Sequence, residues 1–91
     1  MVAKRFIITG IVQGVGFRYF VKRKAELYGL CGWVRNLPDG RVEVFAQGEP
    51  SALRELEKDL WQGPSLARVE DVEVFQEEPQ PGLHWFEIRF Y

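Results

Sequence analysis

Apolar and polar residues follow two different periods along this chain, and the changes of period mark its predicted elements. Residues 6–11 are apolar at almost every position, which is typical of a strand that is covered on both faces. We therefore expect an inner strand over residues 4–12. A last strand is predicted over residues 84–91, where large apolar side chains occupy every second position.

A hairpin is predicted in the middle of the chain. Residues 30–36 and 41–47 have the composition of strands, and in the second of them Val42, Val44 and Ala46 alternate with the polar residues Arg41, Glu43 and Gln47. Residues 37–40 (LPDG) separate the two segments. This is a typical turn, because proline presets φ and Asp-Gly accepts the left-handed region. The two strands are therefore expected to be antiparallel neighbours.

Two helices are indicated by apolar residues at helical spacing. The first is expected over residues 17–28 and ends at Gly29, a typical residue at a helix C-terminus. The second opens at Pro50 and is closed by Gly63 and Pro64. The predicted buried stripes consist of Phe17, Val21, Ala25 and Tyr28 in the first helix, and of Leu53, Leu56, Leu60 and Trp61 in the second.

A fourth strand over residues 67–76 breaks its alternation near Asp71, which predicts a bulge or an edge position there. The element order is thus β-α-β-β-α-β followed by a fifth strand. Two helices on one face of a mainly antiparallel sheet, joined by right-handed crossovers, give the split βαβ, ferredoxin-like sandwich of an α+β protein. Ninety-one residues suffice for one such domain, so we expect a single domain over residues 1–91.

Composition narrows the setting in which the protein works. The chain is 46% hydrophobic and 27% charged, as ordinary globular domains are, and no apolar run is long enough for a transmembrane helix or a signal peptide. Cys31 is the one cysteine and cannot form an internal disulfide. We expect it to be a small apolar strand residue rather than a reactive thiol. These features predict a cytoplasmic protein without membrane partners.

Charge is distributed unevenly. The net charge is −1, but residues 1–35 carry seven basic side chains and one acidic one, whereas residues 36–91 carry five and twelve. The basic part contains the turn at residues 12–18 (VQGVGFR), and its field would attract anions. For the basic run at residues 22–24, simple solvation of a helix face is an equally good interpretation.

The turn at residues 12–18 connects the first strand to the first helix. Gly14 and Gly16 let the backbone turn tightly and approach a ligand closely. Free N–H groups at the start of the helix and the positive end of its dipole form an anion site, to which Arg18 adds a planar, permanent charge. A phosphate-sized oxyanion is the expected ligand, although a Gly-x-Gly turn before a helix is more often a plain connection.

Asn36 stands at the end of the second strand, directly before the turn. It is either a turn residue or hairpin cap, or it holds a water, because a carboxamide donates and accepts hydrogen bonds at once. His84 lies in the last predicted strand, and we expect it to be structural or solvent-facing. With one histidine, one cysteine and no clustered ligand spacing, the sequence predicts neither a metal site nor a cofactor.

Two segments together resemble the signatures of the acylphosphatase family. VQGVGFR at residues 12–18 matches the first signature letter for letter, and GWVRNLPDGRVE at residues 32–43 matches the second, GWVxNxxDGxVE. The resemblance extends over residues 6–91 in length and in element order. One departure is Leu37, at a position that is often threonine in the family. It can change a supporting hydrogen bond but touches neither catalytic group.

The resemblance implies an enzyme that hydrolyses the carboxyl-phosphate bond of acyl phosphates to a carboxylate and inorganic phosphate, without a metal. By position in the signatures, Arg18 binds the phosphate and Asn36 orients the attacking water. It also implies that the protein is a monomer. Inorganic phosphate and sulfate are implied to compete with the substrate for the anion site. The implied phosphate cradle consists of the main-chain amides of Gln13, Gly14, Val15, Gly16 and Phe17.

Two other functions fit parts of the same pattern. RNA-binding domains share this fold class and stack bases on sheet aromatics, and among the aromatic residues here are Phe45, Trp85 and Tyr91. Their aromatic motif is absent, however, and a net charge of −1 is unusual for a nucleic-acid binder, so we expect no nucleic-acid partner. The third function is that of an accessory domain in a larger enzyme, as in hydrogenase-maturation proteins. The start at Met1 and the lack of a linker favour an independent protein.

Overall fold

The computed structural model describes all of residues 1–91. The element order, β-α-β-β-α-β-β, is that of the predicted ferredoxin-like α+β fold, and most boundaries differ from the predicted ones by one or two residues. The strands are β1 (Val2–Ile11), β2 (Cys31–Asn36), β3 (Val42–Gly48), β4 (Arg68–Glu77) and β5 (Phe86–Arg89), and the helices are α1 (Phe17–Leu27) and α2 (Pro50–Gln62).

The five strands form one mixed sheet in the order β4-β1-β3-β2-β5. β1 pairs antiparallel with both β3 and β4, so it is the inner strand that its apolar run predicts. β2 pairs antiparallel with β3 in the predicted hairpin and parallel with β5. β1, β2 and β5 therefore run in the same direction, and their C-terminal ends meet at one end of the sheet.

The main core lies between the sheet and the two helices. The apolar stripes of the helices are completely buried at Phe17, Val21 and Ala25 in α1 and at Leu53, Leu56 and Leu60 in α2. Burying a Phe, Val or Leu side chain contributes about 1.5–3 kcal/mol. The Tyr28 hydroxyl donates a hydrogen bond to Asp59, which joins the helices and raises the pKa of Tyr28 to about 12.

Trp61 is 46% exposed, so the prediction that it belongs to the buried stripe of α2 is wrong. The residue directly after Leu60 is rotated by about 100° around the helix axis. Leu53, Leu56 and Leu60 already occupy the side of α2 that faces the sheet. Trp61 therefore points away from the core.

β4 is an edge strand and also contains the bulge that was predicted near Asp71. Its pairing with β1 shifts between Thr9 and Gly10, which leaves Glu70 as the additional residue. The predicted last strand at residues 84–91 is too long, because β5 pairs only with β2 and only along four residues. His84 lies before β5 and is solvent-exposed, in agreement with the expectation.

The sheet face opposite the helices is also covered. Trp33 and Phe45 stack there at 5.9 Å between ring centroids, and Leu83 from the β4–β5 connection packs against them. Gln47 holds this connection by two hydrogen bonds to the main chain of Gln80, of 3.0 and 2.7 Å. Phe45 is only 2% exposed, so it offers no surface on which a base could stack.

No helix of the protein combines the length and the apolar composition that crossing a membrane requires.

Candidate active site

The loop between β1 and α1 has the conformation that its two glycines permit. Gly14 has a φ of 75° and Gly16 a φ of 79°, in the left-handed region that other residues rarely adopt. A Cβ atom at either position would meet no other atom within 4 Å. The course of the backbone therefore requires these glycines, and the space outside the loop is open to a ligand.

The start of α1 has unpaired hydrogen-bond donors. The first helical bond runs from the amide of Phe20 to the carbonyl of Gly16, at 3.0 Å, so the amides before Phe20 have no acceptor within the helix. No side chain caps this end, and its first turn has no acidic residue. Together with the helix dipole, these donors make the start of α1 attractive to an anion.

Arg18 lies in this first turn and is held from the C-terminal side of the chain. Its Nη1 donates to the carbonyl oxygen of Arg89 at 3.5 Å, and its guanidinium carbon lies 4.8 Å from the centroid of the Phe90 ring. Neither contact neutralises the charge. A cation at the positive end of a helix breaks a local electrostatic rule, which is typical of a functional position.

Two other basic residues of α1, Lys22 and Lys24, form ion pairs. Lys22 pairs with Glu26 at 2.9 Å and Lys24 with Asp59 at 3.9 Å, which fits the interpretation of a solvated helix face for these two. Arg18 forms no ion pair with any carboxylate of the chain. Its charge is thus available to a ligand.

Asn36 is the last residue of β2, and its Oδ1 atom is buried without a hydrogen-bond partner. A buried unpaired acceptor costs about 1–3 kcal/mol. Asp39 caps the turn instead, because its Oδ1 accepts a hydrogen bond from the amide of Arg41 at 3.1 Å. That hydrogen bond holds the pKa of Asp39 below its usual value. The Oδ1 of Asn36 is thus left free to accept a hydrogen bond from a water or a ligand.

One cavity of about 180 Å³ brings these groups together at the end of the sheet where β1, β2 and β5 terminate. Gln13 and Val15 do not line it: the Gln13 side chain bonds to the β2–β3 turn, and Val15 packs against the main core. The residues that line the cavity are Val12, Gly14, Gly16, Phe17, Arg18, Tyr19, Asn36, Ile88 and Phe90.

The cavity also has walls that the sequence did not predict. Ile88 and Phe90 come from the C-terminal segment, Tyr19 comes from the first turn of α1, and Val12 directly follows β1. In the sequence, the alternation of the last predicted strand indicates only that Ile88 and Phe90 lie on the same face of that strand. Only the parallel pairing of β2 with β5, however, places them beside Asn36.

Known proteins of similar sequence and structure are acylphosphatases. The sequence profile of the acylphosphatase family matches residues 4–88. An acylphosphatase of Synechococcus sp. (strain WH7803) is 56% identical over 85 residues, which cover 93% of this chain and 84% of the relative. The crystal structure of acylphosphatase from Bacillus subtilis has a TM-score of 0.95 at 41% identity, covering 99% of this chain and 100% of that one.

A similar domain also occurs inside a larger protein. The crystal structure of Thermococcus kodakarensis HypF matches 98% of this chain, with a TM-score of 0.85 and 36% identity. The match covers only 12% of HypF, whereas the Bacillus subtilis protein is matched along its whole length.

Proposed function

We propose, from the premise that this chain belongs to the acylphosphatase family, that its glycine loop and Arg18 hold the phosphate of the substrate while Asn36 orients the attacking water. The family's reaction is the hydrolysis of acyl phosphates to a carboxylate and inorganic phosphate. The observation that carries the proposed roles is that Gly14, Gly16, Arg18 and Asn36 line one cavity.

The phosphate is proposed to bind where positive potential is fixed in place. The amides at the start of α1 have no other acceptor, and the guanidinium of Arg18 has no carboxylate partner. A tetrahedral phosphate can accept hydrogen bonds from several of these donors at once. The same donors stabilise the charge on the outer phosphate oxygens in the transition state, because they need no reorganisation during the reaction.

Asn36 is proposed to hold the water through its buried Oδ1, which would accept a hydrogen bond from it. The water oxygen then forms a bond to phosphorus on the side opposite the bond between phosphorus and the acyl oxygen. This second bond breaks, and its electron pair leaves with the acyl carboxylate. No carboxylate or histidine lines the cavity. We therefore propose that an oxygen of the substrate's own phosphate takes up the proton of the water.

The acyl group is proposed to lie along the aromatic rim of the cavity. Tyr19 is 61% exposed and Phe90 81% exposed, and together with Ile88 they line the cavity. Benzoyl phosphate is therefore a suitable test substrate, with p-nitrophenyl phosphate as the unactivated comparison. The proposal requires rapid hydrolysis of benzoyl phosphate and slow hydrolysis of the phosphate ester. Equal rates would indicate a general phosphatase.

We expect activity without any added metal. No three side chains of the metal-ligating types His, Cys, Asp and Glu form a group that could hold a metal ion, and the leaving carboxylate needs no Lewis acid to stabilise it. Dialysis against EDTA should leave the rate of benzoyl phosphate hydrolysis unchanged. A loss of rate that Mg²⁺ or Zn²⁺ restores would contradict the proposed mechanism.

Inorganic phosphate and sulfate should compete with the substrate, and substitutions in the loop should weaken that competition. Gly14→Ala or Gly16→Ala places a residue with a Cβ atom in the left-handed region, which costs about 1–2 kcal/mol. We expect the loop to relieve this strain by moving, which distorts the phosphate cradle. We expect the inhibition constant of phosphate to rise about tenfold in each variant, which corresponds to about 1.4 kcal/mol.

Gly29→Ala is the matched control for both loop variants. Gly29 has a φ of 70° and, like Gly14 and Gly16, has open space where its Cβ would lie, but it ends α1 at the far side from the loop. This variant should lose stability while its phosphate inhibition constant stays unchanged. Unaltered inhibition in both loop variants would place the anion site elsewhere.

We further propose that the protein is a cytoplasmic monomer with a single domain. Helices α1 and α2 and all five strands contribute to one hydrophobic core, which supports the single domain. Cys31 is free and half-buried, as fits a reducing compartment. Sedimentation equilibrium would test the monomer, and a dimer mass would contradict it.

A further inference from the structure

We propose that the side chain of Gln13 is a positioning residue that fixes Asn36 relative to the phosphate cradle. The inference rests on the proposed function, because it assigns Gln13 a role through the water that Asn36 is proposed to hold. Gln13 belongs to the glycine loop by sequence, but its side chain points away from the cavity and toward the β2–β3 turn.

One amide group makes both contacts to the turn. The Nε2 of Gln13 donates to the carbonyl oxygen of Leu37 at 2.8 Å and to that of Arg41 at 2.9 Å. Both of its N–H bonds are thereby used, and the side chain is half-buried. These are the side-chain hydrogen bonds between the glycine loop and the hairpin that carries Asn36.

The two acceptors face each other at the turn end of the hairpin, one residue beyond the pair that Asn36 forms with Val42. Leu37 follows Asn36 directly in the chain, and Arg41 precedes Val42, the residue that faces Asn36 in the sheet. The amide of Leu37 also donates to the carbonyl of Arg41 at 2.8 Å, which closes the turn. A displacement of either carbonyl would therefore move the carboxamide of Asn36.

The apolar side chain at position 37 makes this link more important. Leu37 cannot donate or accept a hydrogen bond through its side chain, so its main chain supplies the polar contacts at this position. An error of about 1 Å in the placement of a reacting group can cost about 10²-fold in rate. Gln13 is thus placed to act on kcat through Asn36, without any contact to the phosphate.

A double-mutant cycle between Gln13 and Asn36 tests this role. Gln13→Leu removes both donors and keeps the approximate size of the side chain, while Gln13→Asn keeps the amide but is too short to reach both carbonyls. Each is combined with Asn36→Ala, and kcat for benzoyl phosphate and the inhibition constant of inorganic phosphate are measured for all variants. If Gln13→Leu does not fold, the cycle is measured with Gln13→Asn instead.

We expect Gln13→Leu to lower kcat by about 10- to 100-fold, and Gln13→Asn to lower it less, as misplacement of a reacting group does. The phosphate inhibition constant should change no more than about twofold, and in the Asn36→Ala background the effect on kcat should shrink to about twofold or less, within the error of additivity. These results together would support positioning.

Two results would overturn the inference. One is that Gln13→Leu slows the Asn36→Ala enzyme by the same factor as the parent enzyme, since Gln13 would then act independently of Asn36. The other is that phosphate affinity falls as strongly as kcat, since Gln13 would then shape the cradle. A normal kcat in Asn36→Ala alone would instead remove the proposed role of Asn36 and this inference with it, so the two failures are distinguishable.

Discussion

Replacing Arg18 with alanine should abolish most of the activity while the protein stays folded. Arg18 is the one charged side chain that lines the cavity, and its loss leaves the substrate phosphate without a cationic partner. We expect a loss of about 3–5 kcal/mol, as for removal of one partner from a desolvated charge pair. In kcat/KM this is about 10²- to 10⁴-fold, with a higher KM and a lower kcat.

The contacts of Arg18 within the chain suggest that stability will change little. The variant loses a 3.5 Å hydrogen bond to Arg89 and the stacking on Phe90, but it also removes a cation from the positive end of a helix. These terms oppose one another and are each about 1 kcal/mol or less. Thermal unfolding of the variant should therefore resemble that of the parent protein.

Two further variants separate charge from geometry. Arg18→Lys keeps the charge but cannot reproduce a two-pronged contact to a phosphate, so it should recover little of the activity. Arg23→Ala removes an equal charge five residues further along α1, where the guanidinium lies 5.8 Å from the centroid of the Tyr19 ring and has no ion pair. Its activity should stay near that of the parent. Full activity in Arg18→Lys would show that Arg18 contributes only its positive charge and that a two-pronged contact is not required.

The sequence predicted the course of the loop between β1 and α1 well because the determinants of that loop are local. Gly14 and Gly16 are needed wherever the backbone takes positive φ, and α1 begins at Phe17 as predicted, directly after the second glycine. The inner position of β1 followed from its unbroken apolar run. Such features depend on neighbours in the chain and not on the assembled sheet.

The assembly of the cavity could not be predicted from local pattern. Asn36 lies beside the glycine loop only because β3 separates β1 from β2 and directs both toward the same end of the sheet. Phe90 follows the last residue of β5, and its alternating position predicted a longer strand. In the structure the strand ends with its β2 pairing, and Phe90 instead stacks on Arg18.

Replacing Asn36 with alanine should slow turnover without weakening phosphate binding. The variant keeps the glycine loop, the start of α1 and Arg18, but it removes the carboxamide that is proposed to hold the water. We expect kcat to fall about 10²-fold or more, as loss of one oriented polar group at a reacting centre does. The inhibition constant of inorganic phosphate should stay near that of the parent enzyme, in contrast to Arg18→Ala.

The stability of the same variant gives a second, independent test. Because the Oδ1 of Asn36 forms no hydrogen bond with any other residue, alanine at this position breaks no such bond within the protein and removes only the proposed contact to the water. The main chain of residue 36 should keep its pairing with Val42 in the variant. We therefore expect Asn36→Ala to unfold near the temperature of the parent protein, although it turns over far more slowly. A variant that is both less stable and normally active would show that Asn36 serves the hairpin, and the proposed role in orienting water would be wrong.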